Sequence, residues 1–187
     1  VTPLTITDMI NRGDVASNGE SYQTNFVGGI IGKLGAELEY AEDIQASVDV
    51  MDVYTYDYTL TNNTNFGSVG GRYFVGGIIG VIASKANRIE LASNTNGYDN
   101  SSNVRGAGAV GGIAGYLYVP SDQTLEAQED KLYIRDLVNN SDLNISDRDK
   151  ASYFGGIVGT IYSTGRVLVS SGIGDEESCN FSGLVNN

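Results

Sequence analysis

The sequence contains no histidine and a single cysteine, Cys179. Without histidine, the Ser-His and Cys-His pairs that activate the nucleophile of many hydrolases cannot form, and the usual zinc ligand sets are also missing. One cysteine cannot make a disulfide within the chain. These absences remove the commonest hydrolase chemistry, and we expect a protein with no catalytic residues and no organic cofactor.

Basic residues are also scarce: 11 lysines and arginines stand against 23 aspartates and glutamates, which gives a formal charge of −12. A surface of this sign repels the phosphates of nucleic acids and of anionic lipids, so we expect no nucleic-acid partner. No run approaches the ~20 apolar residues of a membrane-spanning helix, and we expect no membrane insertion. The charge favours solubility and leaves cations open as ligands.

Glycine is abundant, with 25 residues against two prolines. The glycines recur at set positions rather than in low-complexity tracts, which argues against a disordered or collagen-like chain. Valine, isoleucine, threonine and tyrosine supply much of the apolar content, and runs of good helix formers are few. The sequence therefore predicts a single all-β repeat domain that spans residues 1–187.

Four segments share the pattern Gly-Gly-Ile-x-Gly. Their first glycines are separated by 48, 35 and 44 residues. Such intervals are typical of solenoid repeats, so the pattern predicts a β-solenoid, similar to a right-handed parallel β-helix, of about four imperfect repeats with long inserts. The approximate repeat units are residues 1–50, 51–95, 96–138 and 139–187. The core positions of the repeat are Gly28, Gly29, Ile30, Gly76, Gly77, Ile78, Gly111, Gly112, Ile113, Gly155, Gly156 and Ile157.

Each of these segments is apolar throughout when it is read as one strand. With a period of two, Phe74 and Ile78 would share one face, and Val75, Ile79 and Val81 the other. Because both faces are apolar, we expect both to be covered. Glycine weakens strand interiors, so its recurrence predicts a close backbone approach, a bend, or a slot filled by a side chain of the adjacent repeat.

Two weaker similarities accompany the glycine segments. A second β-rich run covers residues 88–92, 132–138 and 166–170, and a polar, mostly Asn-rich turn covers residues 10–15, 94–97, 138–145 and 179–185. Asn, Asp and Gly tolerate left-handed backbone angles, which suits the corners of a coil.

The Val-Gly-Gly-Ile-x-Gly core followed by an Asn-rich turn resembles the GLUG-motif repeats of bacterial secreted and surface proteins. Four copies cover nearly the whole chain, although the long inserts 34–66 and 116–137 and Ala114 in the third core depart from the usual pattern. The resemblance implies a repeat scaffold in a secreted or cell-surface, adhesin-like protein. It brings no catalytic residue with it.

The segment that contains Asp142, Asp147 and Asp149 places many side-chain oxygens at alternating positions. Calcium binds several such oxygens, so these aspartates are a candidate calcium site, although the segment lacks the glycine and the terminal glutamate of an EF-hand loop. The alternative is a solvated loop.

Tyr54, Tyr56 and Tyr58 would lie on one face of a predicted strand. One interpretation is packing over the core, which the more polar opposite face supports. The other is a contact surface for a glycan or a protein.

These observations predict a non-catalytic extracellular module for structure or adhesion, whose partner is a protein or glycan at a cell surface. A first alternative is the subunit of an extracellular filament that assembles with further copies of itself through strand edges or apolar glycine faces. A second alternative is a carbohydrate-active enzyme that uses loop carboxylates, such as Glu42 with Asp43 or the acidic run 175–177.

Overall fold

The computed structural model describes residues 3–18, 25–35, 57–83, 88–98, 101–119, 130–146, 153–163, 166–169 and 185–186. These residues form 22 strands in five parallel sheets, and no helix occurs among them. The predicted all-β solenoid, stacked like a parallel β-helix, is confirmed.

Each turn of the solenoid, here called a coil, contributes one strand to each sheet in succession. Sheet A contains β1 (Leu4–Thr7), β6 (Tyr58–Thr61), β11 (Ile89–Ala92), β16 (Asp130–Arg135) and β21 (Arg166–Val169). Sheet B contains β2 (Ile10–Asn11), β7 (Thr64–Asn65), β12 (Thr95–Asn96), β17 (Val138–Asn139) and β22 (Val185–Asn186). Sheet C contains β3 (Val15–Ala16), β8 (Val69–Gly70), β13 (Asn103–Gly106) and β18 (Asp142–Ile145). Sheet D contains β4 (Phe26–Gly28), β9 (Phe74–Gly76), β14 (Ala109–Gly111) and β19 (Tyr153–Gly155). Sheet E contains β5 (Ile31–Gly35), β10 (Ile79–Ala83), β15 (Ala114–Val119) and β20 (Val158–Ser163).

Equivalent residues of successive coils pair in register and form columns along the stack. Gly28 pairs with Gly76, Gly76 with Gly111, and Gly111 with Gly155. The four Gly-Gly-Ile-x-Gly segments are therefore equivalent parts of four coils, and each of them runs from sheet D into sheet E.

Aliphatic columns fill the interior. The leucine–isoleucine cluster joins sheet A to sheet E, and its buried members include Leu60, Leu91, Ile134, Ile79, Ile82 and Leu117. The valine cluster joins sheet C to sheet D, and its buried members include Val69, Val104, Val75 and Val110. Removing this apolar surface from water is the main stabilising contribution, at about 25 cal/mol per Å².

The corner between sheets A and B contains one left-handed residue in each of the first four coils. These residues are Asp8, Asn62, Ser93 and Asp136, with φ angles of 58°, 58°, 54° and 52°. Each one directly follows its sheet A strand. Asn and Asp adopt this conformation at lower cost than most residues, because their short polar side chains hydrogen-bond locally. Polar residues at this corner let the chain turn without glycine.

The period-two analysis treated each glycine segment as one strand, whereas the structure shows two strands joined by a bend, which is one of the three explanations that the sequence left open for the glycines. In the second coil the bend lies at Gly77 and Ile78, between β9 and β10. A Cβ atom on Gly76 would lie only 2.0 Å from the carbonyl oxygen of Ile79. Only glycine permits a turn this tight, so the bend is one reason for the first glycine of the repeat.

The bend also changes which residues share a face. Val75 lies in the valine cluster and Ile79 in the leucine–isoleucine cluster. Val81 lies in a third buried cluster, together with Tyr73, Tyr116 and Tyr118. Phe74 and Ile78 likewise lie in different clusters. The predicted grouping of faces was therefore wrong, because it ignored the turn between the sheets. In the second coil both sides of the segment are covered, as predicted, since all five of its side chains are buried, whereas in the fourth coil Tyr153 is 47% exposed.

Candidate functional site

Five asparagines of sheet B form a column through the five coils, here called the asparagine ladder: Asn11, Asn65, Asn96, Asn139 and Asn186. The Nδ2 amide of each residue donates to Oδ1 of the next, over 2.7, 2.8, 2.8 and 2.7 Å. The three central asparagines are fully buried. Burying an amide is costly unless its polar atoms are paired, and the next coil of the stack provides that partner.

The ladder also closes turns within single coils. In three coils the Nδ2 amide donates to the carbonyl oxygen two residues later, from Asn11 to Gly13, from Asn65 to Gly67 and from Asn139 to Ser141, over 2.7, 2.7 and 2.9 Å. In these coils the side-chain amide thus hydrogen-bonds within its own coil and also to the ladder asparagine of the next coil.

A shorter row of asparagines lies at the corner between sheets A and B. Nδ2 of Asn63 donates to Oδ1 of Asn94 over 2.9 Å, and Nδ2 of Asn94 donates to the carbonyl oxygen of Leu60 over 2.8 Å. Both asparagines are fully buried. In the next coil the equivalent residue, directly before the sheet B strand, is Leu137, which is buried in the leucine–isoleucine cluster. The row therefore stops where an apolar side chain replaces the amide.

The second glycine of every Gly-Gly-Ile-x-Gly segment faces the asparagine ladder. Cβ atoms at these glycines would lie 2.4, 2.1, 2.3 and 2.7 Å from Cγ of the ladder asparagine in the next coil; the pairs are Gly29 with Asn65, Gly77 with Asn96, Gly112 with Asn139, and Gly156 with Asn186. The slot filled from the adjacent repeat is therefore found at these glycines, together with a close backbone approach, since a Cβ atom at Gly77 would also lie 2.1 Å from the carbonyl oxygen of Gly112. Packing thus explains why glycine recurs at these positions of the repeat.

The predicted calcium site lies only partly within the described residues. Asp142 is the exposed first residue of β18, and its N–H donates to the carbonyl oxygen of Ser102 over 3.2 Å. Asp147 and Asp149 lie outside the described residues, as do the carboxylates at 42, 43 and 175–177. Within the described ranges, no three His, Cys, Asp or Glu side chains lie together as metal ligands would. The calcium site stays a prediction.

The three tyrosines singled out in the sequence are also only partly described. Tyr58 begins β6 and is buried in the leucine–isoleucine cluster. Core packing is therefore the correct interpretation for Tyr58. Tyr54 and Tyr56 lie outside the described residues.

A different group of tyrosines lies on the outer side of sheets D and E and is here called the tyrosine cluster: Tyr116, Tyr118, Tyr153 and Tyr162. The rings of Tyr118 and Tyr162 stack with their centroids 4.9 Å apart, and the ring of Tyr116 lies 6.2 Å from that of Tyr118. Tyr116 and Tyr118 are buried, whereas Tyr153 and Tyr162 are each 47% exposed. The cluster thus has a buried base and an exposed aromatic rim.

The tyrosine hydroxyls influence one another. Burial, followed by the neighbouring phenols of Tyr118, Tyr162 and Tyr153, raises the pKa of Tyr116 to about 12. Burial and Tyr162 likewise raise the pKa of Tyr118. Both phenols are therefore neutral near pH 7. The cluster offers ring faces and hydroxyl groups without charge.

One further hydroxyl adjoins the cluster. Thr160 pairs in register with Tyr116 on the neighbouring strand. Its Oγ1 atom is buried and has no hydrogen-bond partner, the one such side-chain atom found in the part of the chain that the structure describes. A buried hydroxyl without a partner costs stability.

The sequence analysis missed the tyrosine cluster, although a signal was present. Tyr118 and Tyr162 each follow the first glycine of their segment, Gly111 and Gly155, by seven residues. An alignment of the four segments places these two tyrosines in one column. The burial of Tyr118 and the exposure of Tyr162 could not be foreseen, because they depend on the order of the strands in sheet E.

No protein-family model, no curated protein and no solved structure matches this chain. The described residues also include no helix that is long and apolar enough to cross a membrane. The function of the chain has to be inferred from its own geometry.

Proposed function

We propose that this chain is a non-catalytic structural and adhesive module of a secreted or cell-surface protein. The asparagine ladder with its glycine slots is the observation that carries the proposal. The polar side chain that recurs in all five coils is paired with its own copies inside the fold, and the recurring glycines make room for it. The repeat therefore provides a scaffold and leaves no recurring group for chemistry. The resemblance to GLUG-motif repeats supports the extracellular setting.

The outer faces differ from coil to coil, which supports a scaffold with variable surfaces. In sheet A the inward column is aliphatic throughout: Ile6, Leu60, Leu91 and Ile134. The outward column one residue earlier changes its chemistry at two of its three steps: Thr5, Thr59, Glu90 and Tyr133. Stacked repeats of this kind present extended surfaces for recognition.

The tyrosine cluster is the surface that we propose makes the adhesive contact, with a glycan at a cell surface as its ligand. The exposed rings of Tyr153 and Tyr162 offer flat apolar faces, and their hydroxyl groups can exchange hydrogen bonds with sugar hydroxyls. The cluster contains no charged side chain, which suits a neutral sugar.

Binding of the purified protein to a glycan array tests the adhesive contact. The wild-type protein should bind a defined set of glycans, and Tyr153→Ala and Tyr162→Ala should each weaken that binding by about tenfold, because a stacking aromatic ring is lost. Tyr98→Ala is the matched control, since Tyr98 is 77% exposed but lies outside the cluster. Absence of any glycan binding, or equal binding by all three variants, would contradict the proposed contact.

Incubation with a panel of polysaccharides tests the non-catalytic part of the proposal. We expect no cleavage product with calcium or without it. Turnover of any polysaccharide by the purified chain would overturn this part and favour an enzyme that uses loop carboxylates.

A further inference from the structure

The asparagine ladder contains one chemically labile pair, Asn96 followed by Gly97. In such a pair the backbone nitrogen of the glycine can attack Cγ of the asparagine, because glycine has no side chain to obstruct the approach. Asparagine counts among the thermolabile residues of proteins for this kind of reaction. The other four ladder asparagines are followed by residues that carry side chains: Arg12, Phe66, Asn140 and Asn187. Asn96 is therefore the ladder residue most prone to lose its amide.

The fold requires the glycine of this pair. Gly97 has a φ angle of 80°, which side chains rarely tolerate. A Cβ atom at Gly97 would also lie 2.5 Å from Oγ of Ser141 and 2.9 Å from the backbone nitrogen of Ser141 in the next coil. A larger residue would therefore be strained and would clash with the stack. The packing of the coils thus keeps a labile pair in the interior.

The folded stack blocks the reaction that this pair could undergo. The N–H of Gly97 donates to the carbonyl oxygen of Asn65 over 2.8 Å, so the attacking nitrogen is held by the preceding coil. Asn96 is fully buried, its Oδ1 accepts from Asn65, and its Nδ2 donates to Asn139, each over 2.8 Å. Attack on Cγ requires the side chain to leave both partners and turn towards Gly97. The coil has to open before that can happen.

We propose that Asn96 is a site of spontaneous deamidation that the folded stack protects and that unfolding opens, and that its deamidation prevents the chain from folding again. In the unfolded chain the nitrogen of Gly97 forms a bond to Cγ of Asn96, and the bond from Cγ to Nδ2 breaks. The proton of the Gly97 N–H passes through the solvent to the leaving nitrogen, which departs as ammonia. Water then opens the cyclic imide at either of its carbonyl groups, which gives aspartate or isoaspartate.

Either product is incompatible with the ladder. A carboxylate at position 96 has no N–H to donate to Oδ1 of Asn139, and it would bring a negative charge into a fully buried row beside Gly77. Burying a charge without a partner is strongly unfavourable. Isoaspartate also adds a carbon atom to the backbone of β12, which disturbs the register with β7 and β17. This inference depends on the ladder alone and does not rest on the proposed adhesive function.

The first test compares the rate of deamidation in the folded and the unfolded protein. The whole protein is incubated at mildly alkaline pH in native buffer and in guanidinium chloride above its unfolding midpoint, and conversion at each asparagine is followed by mass spectrometry of its peptides. Asn96 should convert at least about tenfold faster in the denaturant, because the reaction requires the coil to open. The chain's other Asn-Gly pair, in which the exposed Asn18 precedes Gly19, is the internal reference to which the rate at Asn96 is normalised. Equal normalised rates at Asn96 in the two solutions would overturn the proposal.

The second test asks whether the modified chain can fold. Protein that has partly deamidated in the denaturant is diluted into buffer, and the refolded fraction is separated from the rest by size-exclusion chromatography. The refolded fraction should contain intact Asn96, whereas converted Asn18 should be equally abundant in both fractions, because Asn18 is exposed and its new charge is solvated. The variant Asn96→Asp should fail to refold, and Asn18→Asp is the matched control that should refold like the wild type. Converted Asn96 as abundant in the refolded fraction as in the rest, or full refolding of Asn96→Asp, would each contradict the proposal.

Discussion

Replacing Gly77 by alanine tests whether the glycine slot and the asparagine ladder act as one unit. A methyl group at this position would lie 2.1 Å from Cγ of Asn96, 2.3 Å from its Nδ2 atom and 2.1 Å from the carbonyl oxygen of Gly112. Asn96 cannot move aside cheaply, because it is fully buried and hydrogen-bonded to Asn65 and Asn139. The carbonyl group belongs to the backbone of the next coil and is equally constrained.

The expected cost has two parts. Forcing an extra methyl group into a packed interior costs about 1–3 kcal/mol. Displacing Asn96 also weakens its two ladder hydrogen bonds, each of which contributes about 0.5–1.5 kcal/mol. We therefore expect Gly77→Ala to lower the free energy of unfolding by about 2–6 kcal/mol. Each kcal/mol shifts the midpoint of thermal unfolding by about 2–4 °C in a chain of this size. Urea unfolding followed by circular dichroism measures the free energy.

Gly70→Ala is the matched control, because a Cβ atom at Gly70 meets nothing within 4 Å. We expect this change to be neutral or to stabilise the protein by up to about 1 kcal/mol, since alanine restricts the unfolded chain. In the double variant Gly77→Ala with Asn96→Ala, the free energy of unfolding should fall by less than the sum of the two single-variant losses, by about 0.5–3 kcal/mol. Additive costs, or equal effects of Gly77→Ala and Gly70→Ala, would refute the coupling.

Three other changes test single features of the fold. Ser93→Gly should stabilise the protein by up to about 1 kcal/mol in urea, because Ser93 has a left-handed φ of 54°; an unchanged or lower stability would argue against strain there. Thr160→Val should raise the free energy of unfolding by about 1 kcal/mol, because it removes a buried hydroxyl without a partner; a clear loss would show that the hydroxyl is paired. The raised pKa of Tyr116 predicts that the contribution of this residue to stability is constant below pH 10 and is lost as the pH rises from 10 to about 12, since the folded state retains the phenolic proton more tightly than the unfolded chain. Spectrophotometric titration should show Tyr116 ionising near pH 12, and ionisation of every tyrosine near pH 10 in the folded protein would contradict this result.

The stacking of the coils could be predicted from the sequence, but the path of the chain within a coil could not. The spacing of Gly28, Gly76, Gly111 and Gly155 was sufficient to identify equivalent positions, because a parallel stack brings equal residues into register. A bend was one of three explanations for the glycines, and its position at Gly77 could not be fixed because an apolar run has no alternation that would mark a turn. A strand that is covered on both sides and a bend between two sheets give the same pattern of hydrophobic residues.

The asparagine ladder was recognisable only as a group of Asn-rich turns. Asn96 and Asn139 stand in turn-like sequences, where asparagine usually caps its own backbone and faces solvent. These side chains can be buried because their amides hydrogen-bond to the asparagines of neighbouring coils, and such bonds form only once the coils are stacked. The exposed rim of the tyrosine cluster depends in the same way on which strand ends the described part of sheet E.

Two connections have the same length in each of the first four coils, and both lie next to the contact between a glycine slot and the asparagine ladder. In each of the first four coils, two residues join the sheet A strand to the sheet B strand, and two residues join the sheet D strand to the sheet E strand. The connection from a sheet E strand to the sheet A strand of the next coil varies in length, from two residues after Ser163 to 22 residues after Gly35. The glycine at the D–E corner of one coil contacts the ladder asparagine that follows the A–B corner of the next. In the fifth coil 15 residues separate β21 from β22, and Asn186 still lies against Gly156, so a longer connection from A to B can keep this contact. Insertions at the connection from E to A move neither residue. Among the first four coils, variation in length lies in the connections from B to C, from C to D and from E to A, and any function specific to one coil is expected there or on the outer faces.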